Sequence, residues 1–154
     1  GFQPPAGSNV IHLPEGVVIT ELEQADSVWP GSDYRTKGLD FKGYVLDKMQ
    51  RPTFKYSRGG ISITDKSTPV VSTSAGKPGA IRRTLKFIGE QTSTNLYLRL
   101  AQGNFEKDKD TFSNTELSLS VKGGEVFTTM GELRVPIEFN GGKSELEITY
   151  SWAE

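Results

Sequence analysis

The sequence predicts an all-β domain, an antiparallel β-sandwich of about ten short strands. Apolar and polar residues alternate with a period of two in many short segments, which is the pattern of half-buried strands. Seventeen glycines and eight prolines separate these segments. No window shows the apolar stripe of an amphipathic helix. Because turns every 8 to 12 residues or so are also typical of barrels, a partly closed β-barrel is the alternative.

The N-terminal segment differs from the rest of the chain. Residues 1–16 hold three of the eight prolines and show no periodicity, which predicts an extended lead-in to a single domain over residues 17–154. The first strand is predicted in VVITELE (17–23). The loop QADSVWPGSD (24–33) follows, and its Pro30 favours an extended backbone at Trp29.

From Leu39 onwards the predicted strands follow one another regularly. LDFKGYVLD and TFKYSR flank the turn KMQRP to form a hairpin, and GISITD comes next. KSTPVVSTSAGKPGA (66–80) is predicted to be a loop with at most a short edge strand at Val70–Val71, because prolines cannot donate to a ladder. Pro136 indicates an edge strand or a bulge in its own segment. The remaining predicted strands are IRRTLKFIGE, NLYLRLAQG, ELSLSVKG, EVFTTMG, ELRVPIEFNG and SELEITYSW.

Composition excludes several classes of function. The 18 Lys and Arg against 19 Asp and Glu give a net charge of −1, without the basic footprint of a nucleic-acid binder. No apolar run approaches the roughly 20 residues that span a bilayer. No leader is recognised, so we expect any export signal to have been removed or to lie upstream. The lack of cysteine excludes disulfides, thiolate metal sites, a Cys nucleophile and C-x-x-C-H haem attachment.

Catalytic patterns are weak. The single histidine, His12, lies in the irregular N-terminal segment, and no G-x-S-x-G elbow accompanies it. Two carboxylates across a cleft could hydrolyse a glycosidic bond, so a glycan-acting enzyme stays an alternative. The candidate carboxylates are Asp26, Asp33, Asp40, Asp47 and Asp65.

One loop has the composition of a calcium site. In DKDTFSN, the oxygens of Asp108, Asp110 and Asn114 are spaced so that they could bind Ca²⁺. The segment lacks the sixth-position glycine of an EF-hand, and Leu119 stands where that loop has its bidentate glutamate. Calcium in an irregular loop is therefore a hypothesis beside that of a solvated turn, and no other cofactor is predicted.

Six aromatic residues fall within 28 positions, and they carry the binding hypothesis. The rings of the predicted hairpin are interpreted as core, because rings on neighbouring strands pack across the sheet. The loop rings Trp29 and Tyr34, with Arg35 and Arg51, are candidate ligand-binding residues, since a planar ring beside a hydrogen-bonding cation suits a carbohydrate. For Trp29 we favour a plug that closes one end of the sandwich.

The hairpin turn has its own expected lock. Asp47 and Arg51 are spaced so that the guanidinium could meet the carboxylate across the neck of the loop. Pro52 fixes φ where the chain enters the next strand.

The most specific motif is G-Y-x-L-D-x-x-x-R-P-T-F-x-Y at residues 43–56. Together with WP (29–30), GGISITD, IRRTL, LYLRLAQG and ELRVPIEFNGGKSELEITYSW, it resembles a β-rich accessory domain of large exported bacterial proteins. Such proteins often also carry c-type cytochrome modules and sugar-dehydrogenase-like propeller modules. The resemblance, over roughly residues 28–152, implies a secreted or periplasmic location and neighbouring domains in the same polypeptide. It implies neither a catalytic residue nor haem in this domain.

We therefore expect a non-catalytic module that takes part in carbohydrate-related binding or in docking to neighbouring modules. A glycan-acting enzyme domain and a purely structural spacer are the alternatives.

Overall fold

The structure is a computed structural model that describes residues 19–30, 39–72, 79–90 and 95–152. Within these ranges the chain forms strands and no helix, so no helix there could cross a membrane. The strands form two antiparallel sheets that pack face to face without closing into a barrel, which confirms the predicted β-sandwich. His12 and the predicted lead-in lie outside the described residues.

In the described ranges, twelve strands make up the two sheets. The smaller sheet has the order β1-β6-β11-β10, and the larger has the order β2-β3-β4-β5-β12-β9-β8-β7. In chain order the strands are β1 (Ile19–Glu21), β2 (Asp40–Leu46), β3 (Pro52–Arg58), β4 (Ile61–Val70), β5 (Ala80–Gly89), β6 (Leu96–Gln102), β7 (Glu106–Asp108), β8 (Thr111–Ser113), β9 (Leu117–Lys122), β10 (Phe127–Thr129), β11 (Glu132–Pro136) and β12 (Lys143–Trp152).

The core lies between the sheets and follows the period-two pattern. Every second residue of a central strand points inward, so the apolar set of each strand is buried as a row. The completely or almost completely buried residues include Phe87, Leu96, Leu98, Leu100, Leu133, Val135, Leu146 and Ile148. The alternation read from the sequence in β6, β11 and β12 is thus confirmed.

Strand β4 is longer than predicted. It continues through Lys66 to Val70 instead of ending at Asp65, and its second half pairs only with β5. Because the register with β3 stops at Lys66, Pro69 lies where β4 has a free side, and its missing N–H costs no ladder bond there. The loop prediction for residues 66–70 was therefore wrong.

Pro136 is accommodated in a similar way. It is the last residue of β11 and pairs with Tyr97 of β6. On the other side, β10 pairs only with Glu132–Arg134, so β11 is an edge at the proline. A register shift between Leu133 and Arg134 also interrupts the ladder with β6, in agreement with the expected edge or bulge.

The larger sheet extends beyond the smaller one. Strands β4, β5, β12, β9 and β8 all contribute buried residues to the core, whereas β2 and β3 contribute none. In the described part of the chain, the inner face of the β2–β3 hairpin is covered less completely than the inner faces of the other strands. This overhang positions the candidate site.

Candidate functional site on the β2–β3 hairpin

The rings of the hairpin lie on the same face of the sheet as the core. Residues directly opposite each other in a ladder share a face. Tyr56 is opposite both Phe41 and the buried Ile63, and Phe54 is opposite Tyr44. The register shift after Phe41 places both Phe41 and Tyr44 on the inner face although they are three residues apart.

These side chains are exposed, which corrects the prediction that the hairpin rings are core. Phe41 and Tyr44 each keep 59% of their surface exposed, and Leu46 and Phe54 keep 49% and 38%. Only Tyr56 is partly buried against the core. The alternation identified the correct face, but the smaller sheet does not reach far enough to cover it. We call Phe41, Tyr44, Leu46, Phe54 and Tyr56 the hairpin surface.

The rings of this surface form two tilted pairs. The centroids of Phe41 and Tyr56 are 5.6 Å apart with an interplanar angle of 55°, and those of Tyr44 and Phe54 are 6.1 Å apart at 57°. These distances and tilts are in the range that aromatic pairs prefer. The pairs hold one another in place and still present ring surface to solvent.

A polar network borders the hairpin surface. Asp65, opposite Phe54, receives two parallel hydrogen bonds from Arg83, Nε to Oδ1 at 2.9 Å and Nη2 to Oδ2 at 2.7 Å. Arg83 Nη1 also lies 3.5 Å from the Tyr150 hydroxyl, at the limit of a hydrogen bond. The Asp65 and Arg83 side chains are each 14% exposed, so this pair separates the core from the exposed rings.

The electrostatics keep Arg83 charged and the two neighbouring phenols neutral near neutral pH. Burial opposes the charge of Arg83, but the hydrogen bonds and charge of Asp65 outweigh burial and raise the arginine pKa. Burial raises the pKa of Tyr150, against the opposing effect of Arg83. Burial and then the Asp65 charge raise the pKa of Tyr56. Both phenols therefore remain neutral hydrogen-bonding groups.

The hairpin turn is locked by Asp47, but not in the predicted way. Its Oδ1 accepts the backbone N–H groups of Met49 and Arg51 at 2.8 and 3.0 Å, and its Oδ2 pairs with Lys66 at 3.1 Å. The Arg51 N–H, then Lys66, are the main causes that lower the pKa of Asp47. Among the described residues the Arg51 guanidinium makes no ion pair, so the predicted Asp47–Arg51 side-chain clasp was wrong. Gln50, at φ 61°, supplies the left-handed residue that a three-residue hairpin loop requires.

Trp29 lies in a different region, against the smaller sheet. It is 9% exposed, and the guanidinium carbons of Arg99 and Arg134 lie 4.6 and 5.4 Å from its ring centroid. Arg134 is fully buried and donates to the backbone carbonyls of Ala25 and Ser27 at 2.8 and 2.5 Å.

Glu132 joins the two arginines of this region. Its Oε1 accepts from Arg134 Nε and Nη2 at 3.1 and 2.6 Å, and its Oε2 pairs with Arg99 Nε. We call Trp29, Arg99, Glu132 and Arg134 the tryptophan anchor. The cluster ties the loop of Trp29 to the smaller sheet and leaves little ring surface for a ligand. Because Arg99 and Arg134 alternate with core residues of β6 and β11, the indole lies against the outer face of that sheet, whereas the predicted plug would close an end of the sandwich.

Of the other candidate ligand-binding residues, only Arg51 is described, and it is not brought to Trp29. Tyr34 and Arg35 lie outside the described residues. Arg51 precedes β3 in the larger sheet, whereas Trp29 contacts β6 and β11 of the smaller one.

The segment with the candidate calcium ligands forms the β7–β8 hairpin. Asp108 ends β7, and Asp110 follows Lys109 in a two-residue turn. Asn114 lies beyond the other end of β8, roughly 10 Å away at the usual rise of a strand. Its Oδ1 accepts the backbone N–H groups of Glu116 and Leu117, so Asn114 caps the next turn. No group of three or more acidic, histidine or cysteine residues suited to a metal occurs in the described ranges.

Comparisons of the chain with protein-family models, with curated proteins and with solved structures gave no match. The hairpin surface is thus interpreted from its own geometry. Sequence reasoning missed the Asp65–Arg83 pair, although a signal was present. Asp65 is two residues from the core residue Ile63, and Arg83 is two residues from Leu85. Because residues two apart in a strand share a face, both charged side chains are expected to point inward.

Proposed function

We propose that this chain is a non-catalytic binding module and that its hairpin surface contacts a carbohydrate. The observation that carries the proposal is the exposure of Phe41 and Tyr44, on the same face as the polar Asp65–Arg83 pair. Flat rings offer apolar contact to the faces of a sugar ring, and fixed polar groups beside them orient its hydroxyls.

The polar residues next to the rings suit this role. An ionised carboxylate has about four lone-pair sites, and Arg83 occupies only part of the capacity of Asp65. Because the two-bond contact with Arg83 holds the carboxylate in one orientation, a ligand hydroxyl would meet an acceptor that is already positioned. The exposed phenol of Tyr44 adds a donor and an acceptor to the surface.

The wider setting is part of the same proposal. The resemblance in residues 43–56 supports a module of an exported, secreted or periplasmic, multi-domain protein. In such a protein, this module would hold a carbohydrate near the domains that act on it.

Docking to a neighbouring module is the second candidate function. Leu46, on the face of the rings, and Met49, in the turn, are 49% and 68% exposed, which makes this end of the hairpin more apolar than a sugar site requires. Exposed apolar patches often mark protein interaction sites, and aromatic residues and methionine are enriched there.

Affinity electrophoresis through gels that contain neutral or acidic polysaccharides tests the first candidate. We expect at least one polysaccharide to retard the wild-type chain, and Tyr44→Ala and Phe54→Ala to abolish that retardation. Ile88→Ala is the matched control, because Ile88 is 53% exposed but alternates with the buried Phe87 and so lies on the opposite face of the sheet. If no polysaccharide retards the wild-type chain, or if Ile88→Ala has the same effect as Tyr44→Ala, carbohydrate binding at the hairpin surface is refuted.

A further inference from the structure

Two ion pairs border the hairpin surface on the inner face of the larger sheet. The first is the Asp65–Arg83 pair. In the second, Arg58 lies two residues after Tyr56, and therefore on the same face of β3, and its Nη1 is 3.3 Å from Oε1 of Glu21 in β1. By their alternation with ring and core residues, Arg58, Asp65 and Arg83 are the charged residues of β3 to β5 that point to this face. Together with Glu21, their charges cancel.

Both arginines of this border are already paired. Arg83 directs Nε and Nη2 to Asp65, and its Nη1 lies 3.5 Å from the Tyr150 hydroxyl. The side chains of Arg58 and Arg83 are each 14% exposed. An acidic sugar would have to take an arginine from its carboxylate, and its own charge would then lie beside the carboxylate that it displaced. Like charges so close together oppose binding.

In the described ranges, the hairpin charges without an ion pair lie on the opposite face, in the turn or at the margin of the rings. Lys55 alternates with the rings of β3 and so points to the opposite face, as does Asp40. Lys48 and Arg51 belong to the turn between β2 and β3, and Lys42 is the extra residue of the bulge. Towards the core, a ligand on the rings therefore meets the two ion pairs and no unpaired charge of β3 to β5.

The hairpin surface itself suits a ligand without charge. It offers ring area, the phenols of Tyr44 and Tyr56, and the acceptor sites of Asp65 that Arg83 leaves open. The C–H faces and hydroxyl groups of a sugar match these contacts, and they bring no charge that would be left without a partner.

We infer that the ligand of the hairpin surface is an uncharged polysaccharide, whose sugar units carry hydroxyl groups and no carboxylate, sulfate or amino group. The inference rests on the proposed carbohydrate contact and adds the charge class of the glycan. The two ion pairs set this specificity, because they offer hydrogen bonds to hydroxyls and leave no counter-charge for an ionic sugar.

Affinity electrophoresis with matched pairs of polysaccharides tests the inference. The pairs are hydroxyethyl cellulose with carboxymethyl cellulose, dextran with dextran sulfate, and methyl-esterified with free polygalacturonan, so each pair shares a backbone and differs in charge. We expect at least one uncharged member to retard the wild-type chain with a dissociation constant about tenfold lower than that of its charged counterpart.

A charge-releasing variant tests the physical cause. Glu21→Gln frees Arg58 beside the rings, and the Glu21 side chain is 52% exposed, so the variant should keep the wild-type fold. We expect the charged member of the binding pair to bind it about fivefold more tightly than it binds the wild-type chain. Glu147→Gln is the matched control, since it makes the same change in net charge but frees Arg82 on the opposite face of the sheet. It should leave the preference unchanged.

The possible failures are distinguishable. If no polysaccharide retards the wild-type chain, the proposed carbohydrate contact fails and the inference fails with it. If the charged members retard the chain as strongly as the uncharged ones or more strongly, carbohydrate binding stands and the inference is overturned. A Glu21→Gln effect no larger than that of Glu147→Gln would also overturn it. Lys42→Gln should not change retardation by the uncharged member, and a loss there would show that binding needs a cation, against the inference.

Discussion

The tryptophan anchor and the hairpin surface use aromatic rings in opposite ways. Trp29 comes from a loop and is 9% exposed, whereas Phe41 and Tyr44 come from a regular strand and are 59% exposed. The difference arises because the smaller sheet provides Arg99 and Arg134 to enclose the indole, and no described residue encloses the hairpin to a similar extent. The burial of a ring is therefore set by the layer that lies opposite it and not by the element that carries it.

The charged groups of the two regions also differ in burial. Arg134 is fully buried, and its donors are directed at Glu132 and at two backbone carbonyls. The Asp65–Arg83 pair lies at the edge of the core and is 14% exposed. The first cluster holds a loop in place, and the second holds polar groups beside an open surface.

The comparison predicts that the largest loss of stability follows from Arg134→Ala. The substitution leaves Glu132 with one cation and removes the donors of two loop carbonyls. Removing one partner of a buried ion pair costs about 3–5 kcal/mol of unfolding free energy. Urea denaturation measures the change, and Arg82→Ala, which breaks an exposed pair with Glu147, should change it by less than about 1 kcal/mol. Equal effects of the two variants would show that the tryptophan anchor does not stabilise the fold.

The contrast between the rings predicts the next largest effect. Trp29→Ala should cost about 3 kcal/mol, near the lower end for large buried aromatic residues, since the ring packs in a loop. Val28→Ala should change the unfolding midpoint little, because Val28 is 75% exposed. Tyr44→Ala should lose no more than about 1 kcal/mol, the value of an aromatic pair. A larger loss for Tyr44→Ala than for Trp29→Ala would reverse the assignment of anchor and open surface.

Tyr150→Phe probes the border between core and hairpin surface. Loss of the long contact with Arg83 should cost at most about 1 kcal/mol at neutral pH. A free tyrosine ionises near pH 10, and burial raises the pKa of Tyr150 in the folded chain. The unfolded chain therefore loses this proton first, and stability falls as the pH rises above 10. Unfolding curves from neutral to alkaline pH should show a shallower decline for Tyr150→Phe. An unchanged slope would mean that the phenol stays solvated.

The smallest effect is expected at the turn of the hairpin. Asp47→Asn should lower the unfolding midpoint, because it weakens the bonds to Met49 and Arg51 and removes the charge that faces Lys66. Arg51→Ala should not lower it through this contact, because only the backbone of Arg51 bonds to Asp47. The lowered pKa of Asp47 adds stability that is present above pH 3.8 and is lost as the pH falls through the folded value. An equal fall of the unfolding midpoint in both variants would instead support a side-chain contact between Asp47 and Arg51.

Much of the fold could be predicted from the sequence, and the candidate site could not. Alternation in the segments of β6, β9 and β12 identified strands and their inward residues, because it records which face meets apolar neighbours. It does not record how far the opposing sheet extends, so Phe54 and Tyr44 were assigned to the core. Nor does it record the register between β4 and β5, which brings Arg83 to Asp65.

Strand β12 has a consequence for the order in which the chain folds. Strands β2 to β5 form a meander of neighbours in sequence, so their pairing closes only short loops and can occur early. Strand β12 lies between β5 and β9 and pairs with both, although it is the last strand in chain order. During synthesis, β5 and β9 therefore each keep an unsatisfied side until residues 143–152 have been made. A ribosome-stalled chain that ends before Lys143 should present two unpaired strand edges at once, and it should be the species that most needs a chaperone.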